Sequence, residues 1–293
     1  MKLLILSLLL STQIIAKPKA EIAIVLDTSG SMQSLIQQVR DGLWKTINNL
    51  GELERNTEKA ALKIALYEYG SGSVDAEAKF IRQLVPLTED HALIAEKLFS
   101  LKAQGSVELM GEVLRRSTND LKWSSNDFDF KSIIIAGNET IYQGEVDPLQ
   151  SAQFVKDNGI FLNTVFAGAQ NSIFDQWQSV ASFGGGDSTN IDHNNRVQYI
   201  ETPFDAQIVK LNKAVVETYM PYGVYGQREF DRLRRLDSQI SQSGFGSYIE
   251  YGNYRSGGFG SVSLESWDLV TAYRNNNPAV SYTHLTLPTT PYV

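Results

Sequence analysis

Apolar residues along this chain gather in short, nearly unbroken runs. "IAIVL" at 22–26, "SIII" at 132–135 and "IFLNTVF" at 160–166 hold almost no polar positions. A strand with one wet face alternates, whereas one apolar throughout is covered on both faces. The pattern predicts strands over 21–26, 62–69, 79–84, 132–136 and 160–166, with a short further one near 190–191. Between them, apolar residues recur at helical spacing over 35–50, 90–101, 110–121, 148–158, 173–183 and 204–219. "KFIRQL" at 79–84 alternates more than the rest and follows 62–69 across the short "GSGSVDAE" connection. So tight a link makes an antiparallel neighbour, not a parallel crossover. Residues 20–220 are therefore expected to form a doubly wound α/β domain: a mostly parallel sheet with one short antiparallel edge strand and helices on both faces. Such sheets bind ligands beyond the carboxyl ends of their strands.

Both ends of the chain depart from this pattern. "MKLLILSLLLSTQIIA", residues 1–16, places one lysine before an apolar run from Leu3 to Leu10 and small or polar residues up to Ala16. It reads as a secretory signal peptide cleaved after Ala16, being too short to span a bilayer, which takes about 20 apolar residues. From Pro221 to about Ala279 a charged helical stretch at 228–240 meets a Gly/Tyr/Ser-rich segment that reads as a flexible linker or irregular arm. Within it, "LESWDLVTAY" regains some helical periodicity. The last fourteen residues, 280–293, resemble translated sequencing-adaptor read-through and are set aside, His284 with them. The native chain is expected to continue past about Ala279.

Composition narrows the function classes. Of 293 residues, 42% are hydrophobic and 20% charged, which suffices for a sizeable core. A formal net charge of −7 with no basic block argues against nucleic acid and favours cations. The chain has no cysteine, hence no disulfide frame, no thiol nucleophile and no cysteine zinc site. An exported protein without disulfides relies on its core, helped by any metal it holds.

The chemistry concentrates in Asp27-Thr28-Ser29-Gly30-Ser31, directly after the first apolar run. One carboxylate and two hydroxyls, spaced two residues apart with Gly30 to let the backbone turn, can converge on one point. Hard divalent cations take such oxygen ligands. Helix capping by Ser29 or Ser31 is the competing account, and it explains a single hydroxyl.

"IVLDTSGSM" resembles the Asp-x-Ser-x-Ser motif of von Willebrand factor type A domains, whose metal-ion-dependent adhesion site binds Mg²⁺, Mn²⁺ or Ca²⁺. The likeness in order and spacing covers about residues 20–220. It implies two more ligands, a threonine before a middle helix and an aspartate after the fourth strand. In "GSVELMGEVL", 105–114, the threonine's place falls on Glu108, with Ser106 as the other candidate; in "IIIAGNET", 133–140, the aspartate's place falls on Asn138, followed by Glu139. The carboxylate count stays at two, Asp27 and Glu108. Within the resemblance, a fixed Glu108 fills from inside a role otherwise left to a partner's acid, or shifts preference toward Ca²⁺. The competing account makes Glu108 a solvated loop carboxylate and Asn138 an ordinary turn residue. Glu139 reads as solvent-facing or partner-facing.

Other features point to less. His91 and His193 read as surface or capping histidines, with nothing linking either to a serine nucleophile. "FGGGD" at 183–187 ends a helix and lacks a lysine partner, which excludes a phosphate loop. Asp187 and Asp192 read as turn residues more than as a second metal site. Tyr248, Tyr251 and Tyr254, three apart, suggest either a stacking surface or a low-complexity arm.

The expectation is a periplasmic or secreted, non-enzymatic binding module. Its divalent cation (Mg²⁺, Mn²⁺ or Ca²⁺) would sit among Asp27, Ser29, Ser31, Glu108 and Asn138, and it would recognise another protein, not nucleic acid, with no membrane span once the signal is removed. The alternative is a metal-dependent hydrolase of phosphorylated or acidic substrates.

Overall fold

The computed structural model describes residues 19–40, 42, 54–55, 58–59, 61–191, 202–243, 246, 248–249, 251–252 and 264–275. The apolar leader, Asp192, His193, Tyr254 and the chain's last residues lie outside them.

Six strands build the main sheet: β1 (Lys19–Asp27), β2 (Ala61–Tyr69), β3 (Ile81–Thr88), β4 (Phe130–Gly137), β5 (Phe161–Ala167) and β6 (Gly185–Ile191). Their spatial order is β3-β2-β1-β4-β5-β6, a doubly wound order. Every pairing is parallel except β2 with β3, which is antiparallel.

The unbroken apolar character of β1 has a direct cause. Ile22, Ile24 and Leu26 face one core, with Ile64, Leu66, Ile94 and Leu98. Ala23 and Val25 face the other, with Ile133, Ile135, Val113, Val155 and Trp177. Both faces are dry, so neither set of positions tolerates a polar side chain. Burying each large aliphatic side chain contributes about 1.5–3 kcal/mol.

Around the sheet run α1 (His91–Ser100), α2 (Met110–Asp120), α3 (Pro148–Asp157), α4 (Ser172–Phe183), α5 (Asp205–Glu217), α6 (Gly226–Ser243) and the short α7 (Leu269–Arg274). Local chemistry fixes several starts. Asp90 accepts from the Leu93 N–H, Asp147 from those of Leu149 and Gln150 ahead of Pro148, and Asn171 from those of Ile173 and Phe174. Of the helix expected over 35–50, residues 36–40 and 42 are helical and the rest lies outside the described residues.

Four details differ from the sequence reading. The edge strand runs over 81–88, not 79–84, because Lys79 and Phe80 both hold positive φ (57° and 56°) and delay its start. It also passes through Pro86, which an edge strand tolerates. β6 spans seven residues instead of a short piece near 190–191. "GGDSTNI" offers a single aliphatic residue, so this half-exposed strand leaves no hydropathy signal. His91 is buried, not at the surface, with Nε2 3.0 Å from the Leu62 carbonyl. Tyr248 and Tyr251 are buried in the same core as β1, beside Leu236 and Ile240 of α6, and form no exposed stacking row. A smaller cluster joins Val216, Leu233, Leu264 and Trp267.

Candidate cation site at the carboxyl ends of the strands

β1 ends at Asp27, and three loops close over that end of the sheet. The Thr28 N–H donates to the Tyr69 carbonyl (2.9 Å), the Gln104 N–H to the Thr28 carbonyl (2.7 Å), the Gly30 N–H to the Gly105 carbonyl (3.0 Å) and the Gly72 N–H to the Gln104 carbonyl (2.7 Å). The segments after β1 and β2 and the one before α2 thus form a single stitched crown. Two glycines make the stitching possible. Gly105 has φ +120°, and a Cβ there would sit 2.2 Å from the Gly70 carbonyl oxygen. Gly70 has φ +75°, and its Cβ would meet Asp27 Oδ1 at 2.9 Å, Glu108 Cγ at 3.2 Å and Ser29 Cβ at 3.4 Å.

Asp27 is fully buried. Its Oδ1 accepts the Ser29 N–H at 2.7 Å, while Oδ2 is buried with no hydrogen-bond partner. Burial pushes the Asp27 carboxyl up to about 7; the bonds from Ser29 oppose this, and the charges of Glu108 and Glu139 add to it. Below it lies Tyr69, whose hydroxyl reaches the Ala136 carbonyl at 3.4 Å and whose pKa is driven up by burial and by Asp27 and Glu108.

From Asp27 the polar chain runs outward. Ser29 Oγ and Ser31 Oγ are 2.9 Å apart, and Ser31 Oγ donates to Asn138 Oδ1 at 2.9 Å. Ser29 occupies the N-cap of the 3-10 turn Gly30–Ser34 but makes no side-chain capping bond, so capping does not account for either serine. Asn138 follows β4 directly, which places it within reach of Ser31, the serine it bonds.

Glu108 is 5% exposed, while Ser106 lies on the surface. The Gly70 contacts place the Glu108 stem next to Asp27 and Ser29. Its carboxylate is held by Gln143, whose Nε2 donates to Oε2 at 2.5 Å, and whose Oε1 accepts the Glu108 N–H at 3.2 Å. Glu139 is half-buried, with its carbonyl accepting the Trp177 indole N–H at 2.8 Å. Asp187 is exposed near the start of β6, towards the opposite end of the sheet, and Asp192 lies outside the described residues.

Sequence reasoning did not single out Gly70, Gln143 or the support under Thr28. The Thr28 hydroxyl donates to Glu68 Oε2 (3.2 Å), and Arg82 Nε donates to the other oxygen of the same carboxylate (2.6 Å). A glycine just after an apolar strand was a weak sign of the first. Nothing in the spacing marks the other two.

The six strands in their 3-2-1-4-5-6 order, one antiparallel at the edge, carry an Asp-x-Ser-x-Ser loop at the carboxyl end of the first. The fold is that of a von Willebrand factor type A domain. Solved structures similar to this chain include the VWA domain of SpRpn10, at 16% identity and TM-score 0.47, covering 61% of this chain and 91% of that one. Another is the conserved hypothetical protein BatB from Bacteroides thetaiotaomicron, at 16% identity and TM-score 0.44, covering 75% and 99%. A third is proximal thread matrix protein 1 from the mussel byssus, solved with a zinc-occupied MIDAS motif, at 12% identity and TM-score 0.46, covering 61% and 43%. No protein-family model and no curated relative matches the chain.

The crown also passes a chemical test for a hard cation. Its donors are all oxygens: two carboxylates, two hydroxyls and an amide carbonyl. Among the described residues no lysine or arginine pairs with Asp27, and no cluster of three or more His, Cys, Asp and Glu is placed to hold a metal, at the crown or away from it. A buried carboxylate oxygen with no partner costs several kcal/mol unless the group is protonated or a cation meets it.

Proposed function

We propose that this chain is an exported, non-enzymatic protein-binding module whose crown holds a divalent cation, Mg²⁺, Mn²⁺ or Ca²⁺. The observation that carries the reading is the orphaned, fully buried Oδ2 of Asp27 at the inner end of the Ser29–Ser31–Asn138 chain. Asp27 supplies the charge, Ser29 and Ser31 their hydroxyls, Asn138 its carbonyl oxygen and Glu108 the second carboxylate. A cation bound there neutralises the buried acid and offers a positive centre at the surface. Tyr142, 59% exposed on the loop that begins with Asn138, and the half-buried Glu139 are available to a partner protein beside it. The leader at residues 1–16 supports export to the periplasm or the medium. Among the described residues no helix is long and apolar enough to cross a membrane.

Hydrolysis has less support. The one histidine within the described residues, His91, bonds the carbonyl of Leu62, near the opposite end of β2 from the crown. Among the described residues no histidine stands beside the crown hydroxyls.

The test is thermal. A ligand that binds only the folded state at a hundred times its Kd adds ~2.7 kcal/mol, or roughly 5 °C or more for a domain of this size. Saturating Mg²⁺, Mn²⁺ or Ca²⁺ should raise the melting temperature over that in chelator, and Asp27→Ala should erase the rise while keeping the fold. Identical responses from the two proteins would refute the assignment.

A further inference from the structure

Within the crown, one contact pairs two side chains on different loops. Gln143 lies between β4 and α3, on the loop that begins with Asn138; Glu108 lies on the loop leading into α2. The Gln143 amide grips Glu108 at two points, accepting its backbone N–H and donating to its carboxylate. Only Oε2 is engaged. Among the described residues no hydrogen bond reaches Oε1.

A free glutamate in a loop samples many rotamers, and freezing such a side chain costs conformational entropy. A cation that needed Glu108 would otherwise bear that cost at each binding event. Here the clamp has already met it, and on the correct side: Cγ of Glu108 and Oδ1 of Asp27 both crowd the space a Gly70 Cβ would fill. The two atoms can be no farther apart than those two short distances together allow. Two carboxylates, two hydroxyls and an amide oxygen also make a protein-rich donor set. Ca²⁺ accepts six to eight oxygens in loose geometry, whereas Mg²⁺ holds to a tight octahedron and keeps several waters.

We infer that Gln143 is a positioning residue that fixes Glu108 as the chain's own carboxylate for the cation, giving a site selective for Ca²⁺ over Mg²⁺ that does not need a partner's acid. The inference rests on the crown holding a cation, as proposed above. Gln143 acts through Glu108, so its effect must vanish when Glu108 no longer carries charge.

Calorimetric titration of the full chain with Ca²⁺ and with Mg²⁺, without any partner, tests this. Wild type, Gln143→Ala, Glu108→Gln, the double variant and Asp27→Asn are compared, each first melted in chelator to verify its fold. Loss of a residue that orients a ligand typically weakens metal binding 10- to 100-fold. Gln143→Ala should therefore weaken Ca²⁺ about tenfold and Mg²⁺ much less, Glu108→Gln should do at least as much, and the double variant should be no worse than Glu108→Gln. Unchanged Ca²⁺ binding in Gln143→Ala, an equal loss for both ions, or an added loss in the double variant would overturn the positioning role. Should wild type bind neither ion, the cation reading itself fails and this inference falls with it. Should wild type bind through Asp27 while Gln143→Ala leaves the ion ratio unmoved, only the role of Gln143 is lost.

Discussion

Glu21 and Asp27 sit six positions apart on β1, 2% and 0% exposed, and the chain treats them in opposite ways. Glu21, near the start of the strand, has Lys63 Nζ at 3.8 Å and receives the Ser124 N–H at 2.6 Å. Glu68, buried at the crown end of β2, is likewise met by Arg82 and Thr28. Asp27 gets one backbone N–H on one oxygen and nothing on the other. For Glu21 and Glu68 this protein supplies the counter-charge from its own sequence. Where it does not, at the strand end that faces a cradle of hydroxyls, the missing charge is expected from outside.

The sharpest way to break that contrast is to remove the charge from Asp27 alone. In chelator the folded state keeps the Asp27 proton up to about pH 7, whereas the unfolded chain releases it near 3.8. The folded pKa is the raised one, so the contribution is fully present below pH 3.8 and is lost as pH rises towards 7. Denaturant melts of the cation-free protein should show it as a fall of about 2–4 kcal/mol between pH 4 and 8, beyond what the other groups produce. Asp27→Asn should flatten that fall, be the more stable protein at pH 8 in chelator, and give no response to cation. Parallel pH curves for wild type and variant would show that Asp27 is not held as an isolated buried acid.

The other half of the contrast predicts a smaller effect of different kind. Lys63→Met keeps the aliphatic stem but leaves Glu21 buried without its cation. Because Lys63 is itself 31% exposed, the loss is expected to be about 2 kcal/mol, below the 3–5 of a fully buried pair. Chemical denaturation measures it. The cation-induced rise in melting temperature should match wild type. A variant that lost that response would tie the two ends of β1 together and dissolve the distinction.

How far sequence reaches into this molecule follows the same physics. β1 and β4 are legible because nearly every position on both of their faces is buried, and β5 because its residues are mostly apolar although one of its faces is only half-covered. β6, with one aliphatic residue in seven, carries no such mark, and β3 begins late because two non-glycine residues take left-handed backbone conformations that no pattern announces. Asp27, Ser29 and Ser31 are legible as a group because adjacency in sequence is adjacency in space along a turn. Glu108 and Asn138 could be located only by resemblance, and the structure puts them on separate crown loops, at the Gly70 contact and against Ser31. Gln143 meets its partner 35 residues away through a side-chain amide, an arrangement with no spacing to detect. The burial of Tyr248 and Tyr251 shows the converse: a Gly/Tyr/Ser-rich composition describes solubility on average and says nothing of which tyrosines a neighbouring helix covers.

The gentlest probe of the contrast leaves every charge in place and disturbs only the cradle. At Gly70 the backbone is left-handed, φ +75°, which costs a residue with a side chain about 1–2 kcal/mol. The added methyl of Gly70→Ala would lie 2.9 Å from Asp27 Oδ1, and 3.2 and 3.4 Å from carbons of Glu108 and Ser29, so one or more of these must move. Stability in chelator should drop by that modest amount, as seen by denaturant melting. Ca²⁺ affinity should drop as well, because the displaced atoms are the proposed donors and their stems. Lys63→Met, which costs at least as much stability, should leave the affinity alone. If the two variants weaken Ca²⁺ equally, the crown responds to global stability and not to local geometry, and the special standing of Asp27 at the end of β1 would have to be given up.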